Sequence, residues 1–193
     1  VEIGLNPGGS FTQYSPFARD PLAWVVAVAP ADRFEFYTWW FPFVGRVPYK
    51  GYFDREEAAA AAAALQRRGY ETWVRGTDAF STLGWFNDPV LPAWLKRRDH
   101  EIVQTILHEA THSTVWVPGR ADFNESLGNF VGVFGAADYY STRLRACDAA
   151  DACPAAQAAL LREGLKAAED DRRLTLARAD LVLELYAALD DLY

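Results

Sequence analysis

One pentapeptide constrains this chain more than any other stretch. Residues 108–112 read His-Glu-Ala-Thr-His and lie inside an apolar helical pattern that covers residues 101–115. On an α-helix, residues four apart lie on one face, so His108 and His112 can present two imidazoles to a single ion. Asp99 is the predicted N-cap of this helix. The stretch therefore predicts a metal-binding helix.

Zinc suits this pair of histidines, because it binds imidazole and in catalytic sites takes three protein ligands and leaves one position open. Water at that position ionises near neutral pH. Glu109, next to His108, is the candidate general base that takes a proton from the attacking water and delivers it to the leaving amine. The alternative is that His108 and His112 are ordinary, partly buried histidines, which leaves Glu109 unexplained. We predict one zinc ion per chain.

Glu125 is the predicted third metal ligand, thirteen residues after His112. In a helix over residues 123–137, the face that carries Glu125 also carries Gly128, Asn129 and Gly132. Glycines there would allow the close helix approach that a short carboxylate needs to reach the metal. The alternative is that Glu125 only completes a D-x-x-E capping box with Asp122.

Several stretches besides the pentapeptide carry a family resemblance. They are Phe41–Gly45, Tyr49–Phe53, Ser81–Val90 and Phe123–Ser126. With His108–His112, they resemble the bacterial putative aminopeptidase family, predicted zinc-dependent enzymes of the zincin type, over most of residues 1–140. The resemblance implies His108, His112 and Glu125 as metal ligands and Glu109 as the base. It also implies an envelope-associated protein whose leader is absent here.

The predicted fold class is α+β and zincin-like: a mixed β-sheet packed on the H-E-x-x-H helix, followed by a mostly helical C-terminal part. We expect a catalytic core in residues 1–140 and, in residues 141–193, a helical segment that packs on it within one structural domain. The last stretch from Ala155 reads as one bent helix or a hairpin. The local patterns predict strands at 23–29 and 34–47, broken by Pro30 and Pro42, and further strands at 70–75 and 79–86. They also predict a helix from Asp54 to Leu65 ended by Gly69, and a turn at Gly76-Thr77.

Two groups of residues are candidates for contact with a substrate. In zinc peptidases of this type the strand that borders the cleft pairs with extended substrate, so residues 80–85 are the candidate edge. The predicted substrate-binding residues there are Ser81, Thr82, Leu83 and Gly84. The alternative is an ordinary internal strand. Tyr139 or Tyr140, at the predicted end of the second helix, is the candidate donor to a developing oxyanion, against the alternative of a structural tyrosine.

Composition excludes some partners. The net charge is −7 without a long basic cluster, which disfavours nucleic acid, and the longest apolar runs are too short to span a bilayer. Cys147 and Cys153 lie six residues apart and predict a small disulfide, which would place the chain in an oxidising compartment such as the cell envelope or periplasm. A reduced pair in a cytoplasmic loop is the alternative. The absence of any Met suggests a mature or trimmed fragment.

The sequence thus favours a zinc-dependent metallopeptidase acting on a peptide or protein, with amino- versus endopeptidase action left open. The first alternative is a non-catalytic, zinc-containing peptide-binding or scaffold protein of the cell envelope. A fourth protein ligand, for which His100 is the remaining histidine, would favour that alternative. An amide or ester hydrolase would use the same metal chemistry. The patterns do not indicate an oligomeric state.

Overall fold

The computed structural model describes residues 4–16, 21–42, 44–77, 88–150 and 153–190. The elements in chain order are β1 (Ala23–Pro30), β2 (Trp39–Phe41), β3 (Gly45–Val47), β4 (Tyr49–Tyr52), α1 (Arg55–Gln66), β5 (Tyr70–Thr77), a short 3-10 helix (Trp94–Lys96), α2 (Asp99–Thr114), α3 (Ala121–Asp148) and α4 (Ala155–Asp190). They make an α+β protein with two small sheets and four α-helices in the described ranges.

The larger sheet has β1 at its centre, with β4 and β5 antiparallel on either side. The predicted mixture of parallel and antiparallel strands is therefore not seen among the described strands. Side chains alternate between the two faces of β1. Val26 and Val28 pack with Ala58 and Ala62 of α1, and each of these four residues is at most 4% exposed. Val25, on the opposite face, lines a cavity.

The predicted turn at Gly76-Thr77 is wrong, because both residues belong to β5. Gly76 pairs with Trp24, and Thr77 pairs with Ala23. A Cβ at Gly76 would lie 2.7 Å from the Cβ of Pro21, so this glycine permits a close approach and does not mark a chain reversal.

The β stretch predicted at 34–47 with a break at Pro42 forms a short hairpin. β2 and β3 pair antiparallel, with Phe41 opposite Gly45, and Pro42 lies in their connection. Proline lacks the N–H that a ladder needs, which accounts for the break. The helix predicted after Asp54 is confirmed. The Asp54 carboxylate accepts hydrogen bonds from the backbone N–H groups of Glu56 (2.7 Å) and Glu57 (3.1 Å).

The metal-motif helix α2 begins at Asp99 itself, so Asp99 is not the N-cap that we predicted. Arg98 occupies that position, and its backbone N–H donates to Oε2 of Glu101 at 2.9 Å. The next helix, α3, does not close at Asp138–Tyr140 but continues to Asp148. No Gly or Pro occurs between residues 136 and 153, so the chain has no helix breaker where we predicted an end.

The last element, α4, is a single helix of 36 residues that packs against α3 and α2. Tyr140 and Ala168 are both buried at the contact between α3 and α4. Cys147 and Cys153 form a disulfide across the connection between these helices, as predicted. None of the described helices combines the length and apolar character needed to cross a membrane. The predicted division of the chain at residue 140 falls inside α3. That division stays a prediction.

Candidate metal centre and its cavity

Helix α2 presents His108 and His112 from one face, as their spacing predicts. Their Nε2 atoms lie 3.0 Å apart. Both side chains are largely withdrawn from solvent, with 19% of His108 and 5% of His112 exposed. The ring of His112 also meets Trp116 edge-on, with centroids 5.4 Å apart. The two imidazoles are therefore held toward one point.

Helix α3 brings Glu125 to the same point. Its Oε2 lies 3.4 Å from Nε2 of His108, and its Oε1 lies 3.8 Å from Nε2 of His112. The capping-box alternative is not supported, because α3 begins at Ala121 with Arg120 as its N-cap and has no side-chain cap hydrogen bond. The two histidines and the glutamate come together although α2 and α3 are separate elements.

This donor set fits a zinc ion. One ligand atom from each of His108, His112 and Glu125 lies within 4.8 Å of the others. Zinc holds nitrogen and oxygen ligands at about 2.0–2.2 Å, so ligands that share one ion lie within roughly 4 Å of each other. The two imidazole nitrogens, 3.0 Å apart, meet this condition, and a different oxygen of Glu125 lies within 4 Å of each of them, at 3.4 Å from His108 and 3.8 Å from His112. Two imidazoles and one carboxylate also form a known catalytic zinc set.

Two glycines allow α3 to lie this close to α2. A Cβ at Gly128 would lie 3.0 Å from Cε1 of His108 and 3.1 Å from each ring nitrogen. A Cβ at Gly132 would lie 2.8 Å from the backbone oxygen of Gln104. The face of α3 predicted to carry Glu125 and these glycines does contact α2. Because the glycines have no side chains, the helices approach closely enough for the short Glu125 carboxylate to reach the histidines.

Asn124 holds the start of α3 against the segment after α2. It is 1% exposed, and its side chain accepts from the backbone N–H of Val117 and donates to the carbonyl of the same residue, each at 2.9 Å. Because Asn124 precedes Glu125 directly, these two bonds fix the helix turn that presents the carboxylate. Sequence reasoning missed this role, although Asn124 lies in a stretch that carried the family resemblance.

The charges of the three groups are coupled through their contacts. The hydrogen bond from His108, with the histidine charges, lowers the pKa of Glu125 despite burial, so this group is a carboxylate at neutral pH. Burial lowers the pKa of His112, and His108 lowers it further against the effect of Glu125. Burial opposes protonation of His108, but its bond to Glu125 and the charges of Glu109 and Glu125 outweigh burial and raise its pKa.

Tyr49 of β4 is a site residue that sequence reasoning did not single out. Its hydroxyl forms a long hydrogen bond of 3.5 Å to Oε1 of Glu125, across 76 residues of chain. Burial, with the negative charges of Glu125 and Glu109, raises the pKa of Tyr49 to about 12. The phenol therefore stays protonated at neutral pH and can act as a hydrogen-bond donor. The resemblance of Tyr49–Phe53 to the family was the signal that could have found it.

A cavity of about 840 Å³ lies between the sheet and the helices α2 and α3. Its described lining includes the three clustered residues, Glu109 and Tyr49, together with neutral polar and aromatic groups such as Gln104, Thr105, Trp116 and Phe53. Glu109 is 7% exposed and faces this space next to the histidines. The cavity has room for several residues of a peptide beside the cluster.

Other predicted residues lie elsewhere. Tyr139 is half-buried against the contact between α3 and α4, outside the cavity lining. His100 is buried with its Nε2 at 3.7 Å from Oδ2 of Asp171 in α4, and it is not part of the histidine and glutamate cluster. Ser81, Thr82, Leu83 and Gly84, with the strand predicted at 79–86, lie outside the described residues.

Comparison with known proteins identifies a family. A family model described as Putative aminopeptidase matches residues 1–193. The chain therefore belongs to this family, whose description indicates peptidase activity. No curated protein and no solved structure matches the chain.

Proposed function

We propose that this member of the Putative aminopeptidase family is a zinc-dependent peptidase that hydrolyses peptide bonds in the cavity beside α2. The observation that carries the proposal is the convergence of His108, His112 and Glu125 within 4.8 Å, next to Glu109. The family description supports the peptidase activity, and the donor set supports the metal. A zincin-like fold is part of the proposal, since an H-E-x-x-H helix followed by a glutamate on the next helix matches that class.

His108, His112 and Glu125 would hold the ion. When bound, zinc supplies a Lewis acid that polarises a carbonyl oxygen and lowers the pKa of a coordinated water. With three protein ligands, the site would resemble catalytic zinc sites, which keep a further position for water. His100 does not close it, because that side chain faces Asp171.

Glu109 supplies the proton transfer. It follows His108 directly and lines the cavity, so its carboxylate can reach a water that attacks the substrate carbonyl. It accepts the proton of that water and then donates a proton to the leaving amine. Because the three ligands come from other residues, Glu109 can do this without being needed to hold the ion.

We propose that Tyr49 donates to the oxygen that becomes negative as the carbonyl is attacked, its single hydroxyl proton turning to that oxygen from the long hydrogen bond to Glu125. Its protonated hydroxyl lines the cavity at 3.5 Å from a carboxylate oxygen of Glu125. A donor aimed at developing charge is among the larger contributions that a site makes to catalysis. We propose Tyr49 for the role first considered for Tyr139, because Tyr139 packs outside the cavity.

The test combines metal analysis with a peptide panel that contains free and blocked N-termini. We expect about one zinc per chain in the parent, reduced occupancy in His108→Ala, His112→Ala and Glu125→Ala, and full occupancy in Glu109→Gln. Hydrolysis should fall at least about 10²-fold in Glu109→Gln.

Glu169→Gln, an exposed carboxylate on α4, is the matched control and should change neither quantity. A zinc-loaded parent that binds peptides but cleaves no peptide, amide or ester would favour the scaffold alternative. Cleavage confined to non-peptide amides or esters would favour the other hydrolase class. A preference for free N-termini would support the aminopeptidase assignment.

We also propose that the chain works in the cell envelope or periplasm. The disulfide between Cys147 and Cys153 supports this location, since such bonds persist in oxidising compartments. Mass measurement after alkylation without reductant, on protein taken from its native compartment, tests it. Two alkylated cysteines would contradict the proposal.

A further inference from the structure

The second half of α4 leaves a large apolar surface exposed. Every residue from 173 to 188 is exposed, a stretch about 24 Å long at 1.5 Å per residue. Its large apolar side chains are 46–67% exposed: Leu174, Leu176, Leu181, Val182, Leu183, Leu185 and Tyr186. Single exposed apolar residues are common, but a continuous set of this size marks an interaction surface.

Part of this set forms a stripe on the outer side of α4. Since an α-helix turns about 100° per residue, Leu174, Leu181 and Leu185 lie within about 40° of one another around the axis. We call these three residues the outer stripe. On the other side of the helix, Ala168 is buried against α3, and the ring of Tyr186 lies 5.0 Å from the ring of Phe34. The outer stripe therefore faces away from the core of its own chain.

One edge of the outer stripe carries two opposite charges. Arg173 and Glu184 are eleven residues apart, which is about three helix turns, so both lie on the same edge. The guanidinium of Arg173 donates to Asp170 one turn earlier at 2.9 Å, and its side chain stays 81% exposed. Glu184 is exposed as well. The edge is thus basic at its start and acidic three turns later.

This charge order is complementary to itself in an antiparallel helix pair. When a two-fold axis relates two copies of α4, the same edge of each helix faces the other copy. If the axis passes between residues 178 and 179, Arg173 of each copy meets Glu184 of the other. In a parallel pair, these edges lie on opposite sides of the interface, and the two charges do not meet.

The same register also interleaves the leucines. With the axis between residues 178 and 179, Leu174 of one copy lies at a level midway between Leu181 and Leu185 of the other. A side chain that enters the space between two side chains of a facing helix is the packing typical of helix pairs. Charge order and leucine spacing therefore agree on one register.

We propose that the outer stripe is a dimer interface, on which α4 of a second copy of this chain packs antiparallel. A two-fold interface must be complementary to itself, and the stripe meets this condition in both its charges and its leucines. The proposal is independent of the proposed function, because none of the described residues that line the cavity comes from α4.

Sedimentation equilibrium over about 1–500 μM chain tests association, and we expect a reversible dimer with a micromolar Kd. Leu181→Gln should weaken the dimer at least about 10-fold. Leu183→Gln is the matched control, because Leu183 is 67% exposed against 64% for Leu181 and lies on nearly the opposite side of the helix. It should keep Kd within about three-fold of the parent. Both variants should unfold in urea like the parent at low concentration, since neither side chain is buried.

Charge reversal tests the register. Arg173→Glu and Glu184→Arg each place like charges together and should weaken the dimer at least about 10-fold, whereas the double variant should return to within about three-fold of the parent. Glu163→Arg is the control: it lies on the same face of α4, five turns before Leu181 and beyond the end of the partner helix.

Two results would overturn the proposal. The first is a chain that stays monomeric at about 500 μM, which would leave the outer stripe to a partner of different sequence. The second is a dimer that Leu181→Gln and both single charge reversals leave unchanged, which would place the interface elsewhere. A double variant as weak as the single reversals would refute the antiparallel register.

Discussion

Replacing Gly128 by alanine should weaken zinc binding without weakening the fold. The added Cβ would lie 3.0 Å from Cε1 of His108 and 3.1 Å from Nδ1 and Nε2. Carbon atoms in contact prefer about 3.5–4.0 Å, so the imidazole must move by roughly 0.5 Å. Ligand positions tolerate only about 0.2 Å. The displaced His108 ring and Glu125 would therefore no longer both lie at bonding distance from one zinc ion.

Gly128→Ala should change zinc affinity more than it changes the stability of the fold. Changes that disturb the orientation of a metal ligand typically cost about 10–100-fold in metal affinity, and we expect a loss in that range. Alanine in a helix is favoured over glycine by about 0.8–1.0 kcal/mol, which offsets part of the crowding. Because the crowded group is a side chain, the zinc-free protein should change in unfolding free energy by less than about 1 kcal/mol.

Competition with a chelating dye gives the zinc affinity, and urea unfolding of the zinc-free protein gives stability. Ser126→Ala, at an exposed position on the same helix, is the control for an added alanine and should keep zinc affinity within about two-fold. The reasoning is refuted if Gly128→Ala binds zinc as tightly as the parent and gains about 1 kcal/mol. Such a gain in the free energy of unfolding is expected when alanine replaces a helical glycine that faces open space.

Two further predictions concern Gly132, at the contact between α2 and α3, and Tyr49, on the sheet side of the cavity. Gly132→Ala should lower the free energy of unfolding by about 1–3 kcal/mol in urea titrations, because its Cβ would lie 2.8 Å from the backbone oxygen of Gln104, which cannot turn aside. A stabilised Gly132→Ala protein would contradict that close approach. Tyr49→Phe should reduce kcat by about 10²-fold when the variant and the parent are both saturated with zinc, since it removes one donor to the developing charge. Unchanged kcat on the best peptide substrate would exclude Tyr49 from that role.

Local sequence determined the parts of this protein that depend on neighbours along the chain. The four-residue spacing of His108 and His112 places both rings on one face, whatever surrounds the helix. Asp54 caps α1 because its carboxylate reaches N–H groups two and three residues later. The helix face shared by Glu125, Gly128 and Gly132 could likewise be read from periodicity.

Tertiary structure decided which of these faces meet and what else joins them. Tyr49 reaches Glu125 across 76 residues, a contact that no local pattern encodes. Gly76 belongs to β5 and not to the predicted turn, because it pairs with Trp24 and packs closely against Pro21. The local sequence permits α3 to extend to Asp148, because no helix breaker occurs between Gly135 and that residue, and packing of Ala136, Ala137 and Tyr140 against Ala168 of α4 stabilises that extension. Contacts between elements that are distant in sequence stabilise the protein only once the chain has folded. They therefore depend on the tertiary structure and cannot be read from local sequence patterns.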